Sequence, residues 1–234
     1  MQKNYKMAVM TLFYRIFGKK TRRYKMKPTV FCGLVAVISI LFGMSSCGKT
    51  ECDKTVAGDA AVSPYENIMT RTSVRQYTDM KVSAGAVDSL LRAAMAAPTA
   101  GNKQPWKFLV LDDRAVLDSV AAMAPAWAPV GRAPLAIIVC GDKELGFPGE
   151  VNDFWIQDCS AATENLLLAA HAMGLGAVWC GAYPAMDRVA DLNRFFHFPP
   201  TIVPLNVVAI GYPAETPEPK QKFKSENVKY NKWQ

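Results

Sequence analysis

Two observations predict a mixed α+β fold for the chain beyond about residue 64. Short runs of β-branched and apolar residues, bounded by Pro or Gly, are typical of strands. Longer segments between these runs carry apolar residues at helical spacing. The roughly 170 residues in this part of the chain are enough for one domain with a real hydrophobic core.

Capping residues and apolar spacing predict three helices. They cover residues 65–69, 84–97 and 153–173. Ser83 is a suitable N-cap for the second helix. The apolar face of that helix comprises Val87, Leu90, Leu91 and Ala94.

The third predicted helix carries almost no charge. It contains no Lys or Arg, and its acidic residues are Asp153, Asp158 and Glu164. A helix that is apolar nearly all round must be buried, either in a core or against a second subunit.

Four strands complete the predicted elements. Runs of β-branched, aromatic and other apolar residues next to turn-forming Pro and Gly predict them. They cover residues 106–111, 135–140, 177–182 and 203–211.

The amide loop, residues 98–106 with the sequence PTAGNKQPW, lies between the second helix and the first strand. Its prolines restrict φ, and Gly101 tolerates conformations closed to other residues. Asn102 and Gln104 each offer an amide donor and a carbonyl acceptor, which suits the edge of a planar heterocycle. A lone Asn in such a loop more commonly bonds its own backbone, so the interpretation depends on a second motif.

That second motif is the arginine segment, residues 71–75 with the sequence RTSVR. Arg71, Ser73 and Arg75 alternate along it, and two guanidinium groups with a hydroxyl form a strong anion-binding set. Surface arginine pairs are usually only solvated, so this segment alone is weak evidence.

Together with GLGAVWCGAYP at residues 174–184, these motifs resemble the FMN-dependent nitroreductase family. The resemblance spans roughly residues 65–233. It implies a nitroreductase-like α+β fold, with a mixed, largely antiparallel sheet flanked by helices. It also implies a homodimer with two shared sites, in which the C-terminal tail is swapped onto the partner.

The resemblance assigns the polar motifs to FMN. Arg71, Ser73 and Arg75 would contact its phosphate, ribityl chain and pyrimidine edge, and one arginine would favour the negative charge that builds at N1/O2 on reduction. The loop residues that would line the flavin, partly from the opposite subunit, are Pro98, Thr99, Asn102 and Gln104.

The third motif would meet the reactive atom of the flavin. A backbone N–H within Cys180, Gly181 and Ala182 would point at N5, and Gly181 leaves room for close approach. The remaining phosphate contact aligns with Lys222, where the family usually carries an arginine, and Lys224 is its rival. A lysine binds phosphate as a point charge without the guanidinium fork.

The N-terminal segment, residues 1–46, looks like a bacterial lipoprotein signal peptide. It contains nine Lys and Arg and no acidic residue, and an apolar stretch at residues 30–44 precedes two serines and Cys47. The pattern predicts cleavage before Cys47 and lipidation of its sulfur. The apolar run is shorter than the ~20 residues of a membrane span, and Met26 is an alternative start.

Residues 47–64 are polar and aperiodic, which predicts a tether to a domain at residues 65–234. The expected location is the cell envelope, lipid-anchored and facing the periplasm, or the cytoplasm if the signal-peptide interpretation is wrong. Beyond the signal, 18 basic residues face 20 acidic ones, so the net charge of +7 belongs to the signal segment. The charge pattern gives no support for nucleic-acid binding.

The remaining reactive side chains favour structural roles. His171 lies in an Ala-rich helical stretch and His197 in an aromatic loop, and this pair without a CxxC motif argues against a metal site. Disulfides in an oxidising compartment are open to Cys52, Cys140, Cys159 and Cys180. The last three lie in apolar elements, where cysteine acts as a small hydrophobe.

Aromatic residues in and beside residues 124–153 leave two interpretations open. They form either a substrate-shaping lid or ordinary core. These residues are Trp127, Phe147, Phe154 and Trp155.

The resemblance implies a ping-pong oxidoreductase. NAD(P)H would stack on FMN and leave, and a nitroaromatic, quinone or other flat electrophile would take its place. Because NAD(P)H is cytoplasmic, an exported domain leaves two alternatives. One is a flavin-dependent dehydrogenase or reductive dehalogenase relative with a non-nicotinamide donor. The other is a non-catalytic flavin-binding lipoprotein, against which the retained arginine segment and amide loop argue.

Overall fold

The structure, a computed structural model, describes residues 63–233. Its helices are α1 (Pro64–Thr70), α2 (Ala84–Met95), α3 (Arg114–Met123), α4 (Ala128–Arg132), α5 (Phe154–Ala172) and α6 (Met186–Phe196). Its strands are β1 (Trp106–Leu111), β2 (Leu135–Asp142), β3 (Gly176–Gly181) and β4 (Ile202–Gly211). The predicted signal peptide, Cys47 and the tether up to residue 62 lie outside the described residues. Within residues 63–233, no helix has both the length and the apolar character to cross a bilayer.

The four strands form one sheet in the order β1-β2-β4-β3, and every neighbouring pair is antiparallel. The central strand β2 is buried from Leu135 to Gly141, as its continuous apolar sequence requires. A parallel bridge between Ser73 and Ala177 adds the arginine segment beside β3. The predicted α+β class, with a mixed and largely antiparallel sheet, is confirmed.

Helices cover both faces of the sheet. α2 and α5 pack on one face, and α3, α4 and α6 pack on the other. Trp155, Ala162 and Leu166 of α5 are fully buried, so the prediction of a buried helix is confirmed. The opposite side of α5 is accessible in the single chain, where Phe154 and Glu164 are exposed.

The predicted elements agree closely with the structure. Ser83 caps α2, because its Oγ accepts the backbone N–H of Ala86 at 3.2 Å. α2 ends at Met95, two residues before the predicted end, as the chain turns towards Pro98. The bounds of β1 match the prediction, and β2 continues to Asp142.

The structure contains three helices that the sequence did not predict, and it decides how residues 124–153 are folded. The helices α3, α4 and α6 lie in segments without a predicted element. Of the two interpretations left open for residues 124–153, ordinary core holds for most of the segment, because it contains α4 and β2. Trp127 and Trp155 are fully buried core residues. Only residues 143–153 remain as a surface loop at this end of the sheet.

Candidate flavin site

The arginine segment is held as a short extra strand. The backbone N–H of Val74 donates to the carbonyl of Ala177 at 3.1 Å. On the other side, one carboxylate oxygen of Glu215 accepts the backbone N–H groups of Arg75 at 2.6 Å and Gln76 at 3.2 Å. These bonds fix the backbone and leave the alternating side chains free to face a ligand.

The arginine cavity, about 610 Å³ in volume, opens in front of this segment. Its lining includes Arg71, Ser73, Arg75 and Lys222, so the structure brings to one place four residues predicted to contact the phosphate, ribityl chain and pyrimidine edge of FMN. The tail also contributes Lys220, while Lys224 is not part of the lining. Small-ligand sites usually have volumes of about 300–1,000 Å³.

The two arginines of the cavity are held differently. Arg71 Nε lies 3.2 Å from Glu164 Oε1 on α5, and its side chain is largely shielded. Arg75 is exposed, and its guanidinium makes a long bond of 3.4 Å to the carbonyl of Ser73. An incoming phosphate therefore meets one arginine that is already oriented and one that is free to move.

The amide loop has an unusual backbone. Gly101, Asn102 and Gln104 have φ values of 55°, 55° and 52°, in the left-handed region that disfavours residues with a Cβ. Internal bonds hold this shape, since Gln104 N donates to Thr99 Oγ1 at 3.1 Å and Gln104 Nε2 donates to Asn102 Oδ1 at 2.9 Å. The loop is therefore preorganised, with both amide side chains exposed.

A buried carboxylate anchors the amide loop to α5. Asp158 is 6% exposed, and its Oδ1 accepts the backbone N–H of Ala100 at 2.8 Å. The surface loop covers the other side, with the Phe147 ring so close to Gly101 that an added Cβ would lie 2.7 Å from it. Lys103 Nζ lies 5.2 Å from the centre of the same ring, within cation–π distance.

The arginine segment and the amide loop do not meet in one chain. The lining of the arginine cavity consists of residues from 65–75 and 220–223, without Pro98, Thr99, Asn102 or Gln104. Both motifs contact α5, the loop at Asp158 and the arginine segment at Glu164. These residues are six positions apart and so face different sides of the helix.

The end of β3 has an open edge. Ala177 directs its carbonyl away from β4 towards Val74, and the alternation of a strand gives Gly181 the same orientation. The backbone N–H of Ala182 is used by the carbonyl of Leu205 at 3.0 Å. One N–H within Cys180, Gly181 and Ala182 is predicted to face flavin N5, and of the three that of Gly181 points to the open edge. A Cβ at Gly181 would have Trp179 Nε1 as its nearest neighbour, 3.9 Å away, so the sheet face is uncrowded at this residue.

Cys140, Cys159 and Cys180, the cysteines of residues 63–233, are buried free thiols. Their burial in apolar elements is as predicted, while the sequence left disulfides open. Burial raises the pKa of Cys180 to about 11, although the positive charge of Arg75 opposes the shift. Arg75 is thus within electrostatic range of the end of β3. Burial likewise raises the pKa of Cys140 to about 12. All three thiols are protonated at neutral pH and are poor nucleophiles.

Three residues that shape the site are absent from the predicted set. Asp158 holds the amide loop, and Trp127 and Arg188 both donate to the carbonyl of Gly181. Each of these contacts joins a side chain to a backbone group in another element of the fold. Nothing in the local sequence around them indicates the partner.

Comparison with known proteins identifies the family. The model of the nitroreductase family matches residues 68–144 and 121–212. A protein of Methanothermobacter thermautotrophicus is 44% identical over 168 residues, covering 72% of this chain and 86% of that protein. It carries the provisional name NADH dehydrogenase/NAD(P)H nitroreductase.

Solved structures agree. A Bacteroides thetaiotaomicron structure with the same provisional name is 45% identical, with a TM-score of 0.68, over 74% of this chain and 98% of that one. A Desulfovibrio desulfuricans structure, provisionally a nitroreductase in complex with FMN, is 34% identical, with a TM-score of 0.64, over 72% and 96%. These matches identify an FMN-dependent oxidoreductase, and the polar cavity suits that cofactor. The chain belongs to the nitroreductase family.

Proposed function

We propose that this protein transfers two electrons from NAD(P)H to a flat electrophile, a quinone or a nitroaromatic compound, at an FMN site shared by two subunits. The observation that carries the proposal is the convergence of Arg71, Ser73, Arg75 and Lys222 on one cavity in a member of this family. A polar cavity with four cations, Lys220 among them, and the Ser73 hydroxyl suits the phosphate end of FMN.

The reaction balances in two half-reactions. When bound, FMN accepts a hydride from NAD(P)H and passes on two electrons after the nicotinamide has left. With a quinone, NAD(P)H and one proton give the quinol and NAD(P)⁺. With a nitro group, the same two electrons and two protons give the nitroso compound and water.

In this scheme the protein's side chains bind FMN and orient it. We assign the phosphate to Arg71, Arg75 and Lys222, with Ser73 as a further hydrogen-bond partner. Arg75 also lies close enough to Cys180 to affect the pKa of its thiol, so its charge extends towards the end of β3 where the ring would lie. A positive charge there favours the negative charge that reduction places on the pyrimidine edge.

We propose that the amide loop of the opposite subunit completes each site. Asn102 and Gln104 expose their side-chain amides, and with Pro98 and Thr99 they form a rigid surface. None of these four residues lines the arginine cavity of the same chain. The tail supports a homodimer, because Phe223, Tyr230 and Trp233 are 83%, 85% and 82% exposed in the single chain. Large exposed aromatic residues mark contact surfaces.

Protons come from water in this proposal. Burial raises the pKa of Tyr77 far above its ordinary value and that of Cys180 to about 11, so neither group ionises near neutral pH. Flavin chemistry needs stacking and orientation more than a side-chain acid.

We further propose that the chain is a lipoprotein attached through Cys47 in the cell envelope. An exported domain would not meet the cytoplasmic NAD(P)H pool, so lipidation of Cys47 would favour a non-nicotinamide donor, and the donor test below decides between the two. The support is the basic and apolar pattern of residues 1–46. Mass spectrometry of the membrane-extracted protein would find a diacylglycerol-modified N-terminal Cys47, and Cys47→Ser would release the protein from the membrane fraction. An unmodified chain with an intact N-terminus would contradict this assignment.

Anaerobic spectroscopy tests the electron donor. We expect the flavin absorbance of the purified protein to be bleached by NADH or NADPH and restored by a quinone or a nitroaromatic compound. Bleaching only by a quinol or by dithionite would contradict the nicotinamide donor and favour the dehydrogenase or dehalogenase alternative. A protein that takes up no flavin after incubation with FMN would overturn the proposed function.

A further inference from the structure

Two side chains from different elements converge on one backbone carbonyl at the end of β3. Trp127 Nε1 donates to the carbonyl of Gly181 at 3.1 Å, and an Nη atom of Arg188 donates to the same oxygen at 3.0 Å. Trp127 comes from the turn before α4, and Arg188 comes from the first turns of α6. A carbonyl oxygen has two lone pairs, so both are satisfied by side chains instead of by a neighbouring strand.

Among the arginines of residues 63–233, only Arg188 is both partly buried and without a carboxylate partner; Arg75 and Arg132 also have no such partner, but they are exposed. Arg71, Arg92, Arg114 and Arg194 each pair with a carboxylate. Arg188 is half-buried, and no carboxylate oxygen of the described residues lies within 4.0 Å of it. A shielded positive charge whose bond goes to a carbonyl is retained at some energetic cost, which points to a role beyond surface solvation.

The contacts fix the orientation of a residue that has no side chain to fix it. The carbonyl of Gly181 is held by Trp127 and Arg188, and the next N–H, of Ala182, is held by the carbonyl of Leu205. In an extended residue the N–H and the C=O point to the same side. Holding the carbonyl therefore also directs the Gly181 N–H to the open edge of β3.

We propose that Trp127 and Arg188 are positioning residues that aim the Gly181 N–H at N5 of the flavin. The inference rests on the proposed function, since it needs FMN at the edge of β3. Neither side chain touches the reacting atoms in this assignment. Their effect passes along the backbone of one residue, from the Gly181 carbonyl across its Cα to its N–H, and glycine would otherwise sample many backbone conformations.

Two variants remove the contacts separately, one with and one without a change of charge. Trp127→Phe keeps the buried aromatic bulk and removes the indole N–H. Arg188→Met keeps much of the stem length and removes the guanidinium. Arg194→Met on the same helix is the matched control, because Arg194 is exposed and pairs with Asp191 on the surface.

The readouts separate positioning from simple structural support. We expect both variants to bind FMN through the intact arginine cavity, but with an altered absorbance spectrum of the bound flavin. We expect reduction at saturating NADH to slow by about tenfold or more, with the half-saturating NADH concentration little changed. In the wild type, FMN binding should slow hydrogen exchange of the Gly181 amide, and both variants should lose this protection.

The double variant gives a further check. Because both donors share one acceptor, the effects of Trp127→Phe and Arg188→Met should not add. Arg188→Lys should restore part of the rate, since an ammonium can still donate to the carbonyl.

Three results would overturn the inference. The first is that both variants keep the wild-type flavin spectrum, the wild-type reduction rate and the wild-type protection of the Gly181 amide from hydrogen exchange. The second is lower thermal stability of the FMN-free variants while the flavin readouts stay unchanged, which indicates structural support alone. The third is a wild-type protein that takes up no FMN, which would refute the proposed function and the inference with it.

Discussion

The arginine segment and the amide loop both hold polar groups in position for a ligand, but they do so by different means. The arginine segment is straight and hydrogen-bonded to β3 and Glu215, so the sheet determines its position. The amide loop is bent through three left-handed residues and is held by its own side chains and by Asp158. The comparison teaches that ligand binding by the arginine segment should depend most on its charges, whereas the shape of the amide loop should depend most on Asp158 and on its left-handed backbone.

The largest effect is expected from removing charge in the arginine segment. The double variant Arg71→Ala, Arg75→Ala loses two charge-assisted contacts worth ~1.5–3 kcal/mol each, so FMN binding should weaken roughly 100-fold to 10,000-fold. Titration of the FMN-free protein with FMN, followed by flavin fluorescence, measures this change. Arg92→Ala with Arg194→Ala is the control, because both arginines form exposed surface pairs. Equal affinities in the two double variants would contradict the phosphate assignment.

A smaller effect is expected from Asp158→Ala, which removes the anchor of the amide loop. The Ala100 N–H would lose its partner in a partly buried place, at a cost of about 1–3 kcal/mol of unfolding free energy. Urea denaturation measures the loss, and FMN affinity should fall less than in the arginine variant. Asp158→Asn keeps an oxygen acceptor and should retain most of the stability. If Asp158→Ala were as stable as the wild type, the loop would be held by something else.

Backbone strain in the loop gives the next effect. Gly101→Ala places a Cβ at a φ of +55° and 2.7 Å from the Phe147 ring, and should destabilise the protein by about 1–2 kcal/mol. Gly85→Ala in α2 meets nothing within 4 Å and should be neutral or stabilising by up to about 1 kcal/mol. Thermal unfolding of the two variants side by side measures the difference. Similar melting temperatures would show that the loop relaxes freely.

The smallest effect is a pH dependence of the unfolding free energy, which comes from His171. Burial and then the charge of Arg71 lower the pKa of His171 below its ordinary value of 6.5, so the folded protein binds this proton less readily than the unfolded chain. Stability from neutral His171 is present above pH 6.5 and is lost as the pH falls through the lowered pKa. His171→Gln should flatten unfolding free energy across this window. An unchanged pH profile in His171→Gln would contradict this contribution.

Sequence patterns predict more of the arginine segment than of the amide loop's surroundings. Alternating Arg71, Ser73 and Arg75 are visible as a motif, and their meeting with Lys222 agrees with the family resemblance. The support of Asp158 is invisible, because its partner Ala100 is 58 positions away in the chain. Aromatic composition alone could not distinguish lid from core. Trp127 and Trp155 are core because the turn before α4 and the first turn of α5 pack them into the hydrophobic clusters on the sheet.

The central claim is that each FMN site combines the arginine segment of one subunit with the amide loop of the other. The most direct measurement is FMN content of mixed dimers, made by co-expressing Arg71→Ala, Arg75→Ala with a differently tagged Asn102→Ala, Gln104→Ala chain and purifying through both tags. In a shared-site dimer, one site combines the two unchanged motifs and the other combines the two altered ones. We predict one tightly bound FMN per mixed dimer, while both parent homodimers bind FMN weakly. A mixed dimer that binds no better than its parents would contradict the shared site.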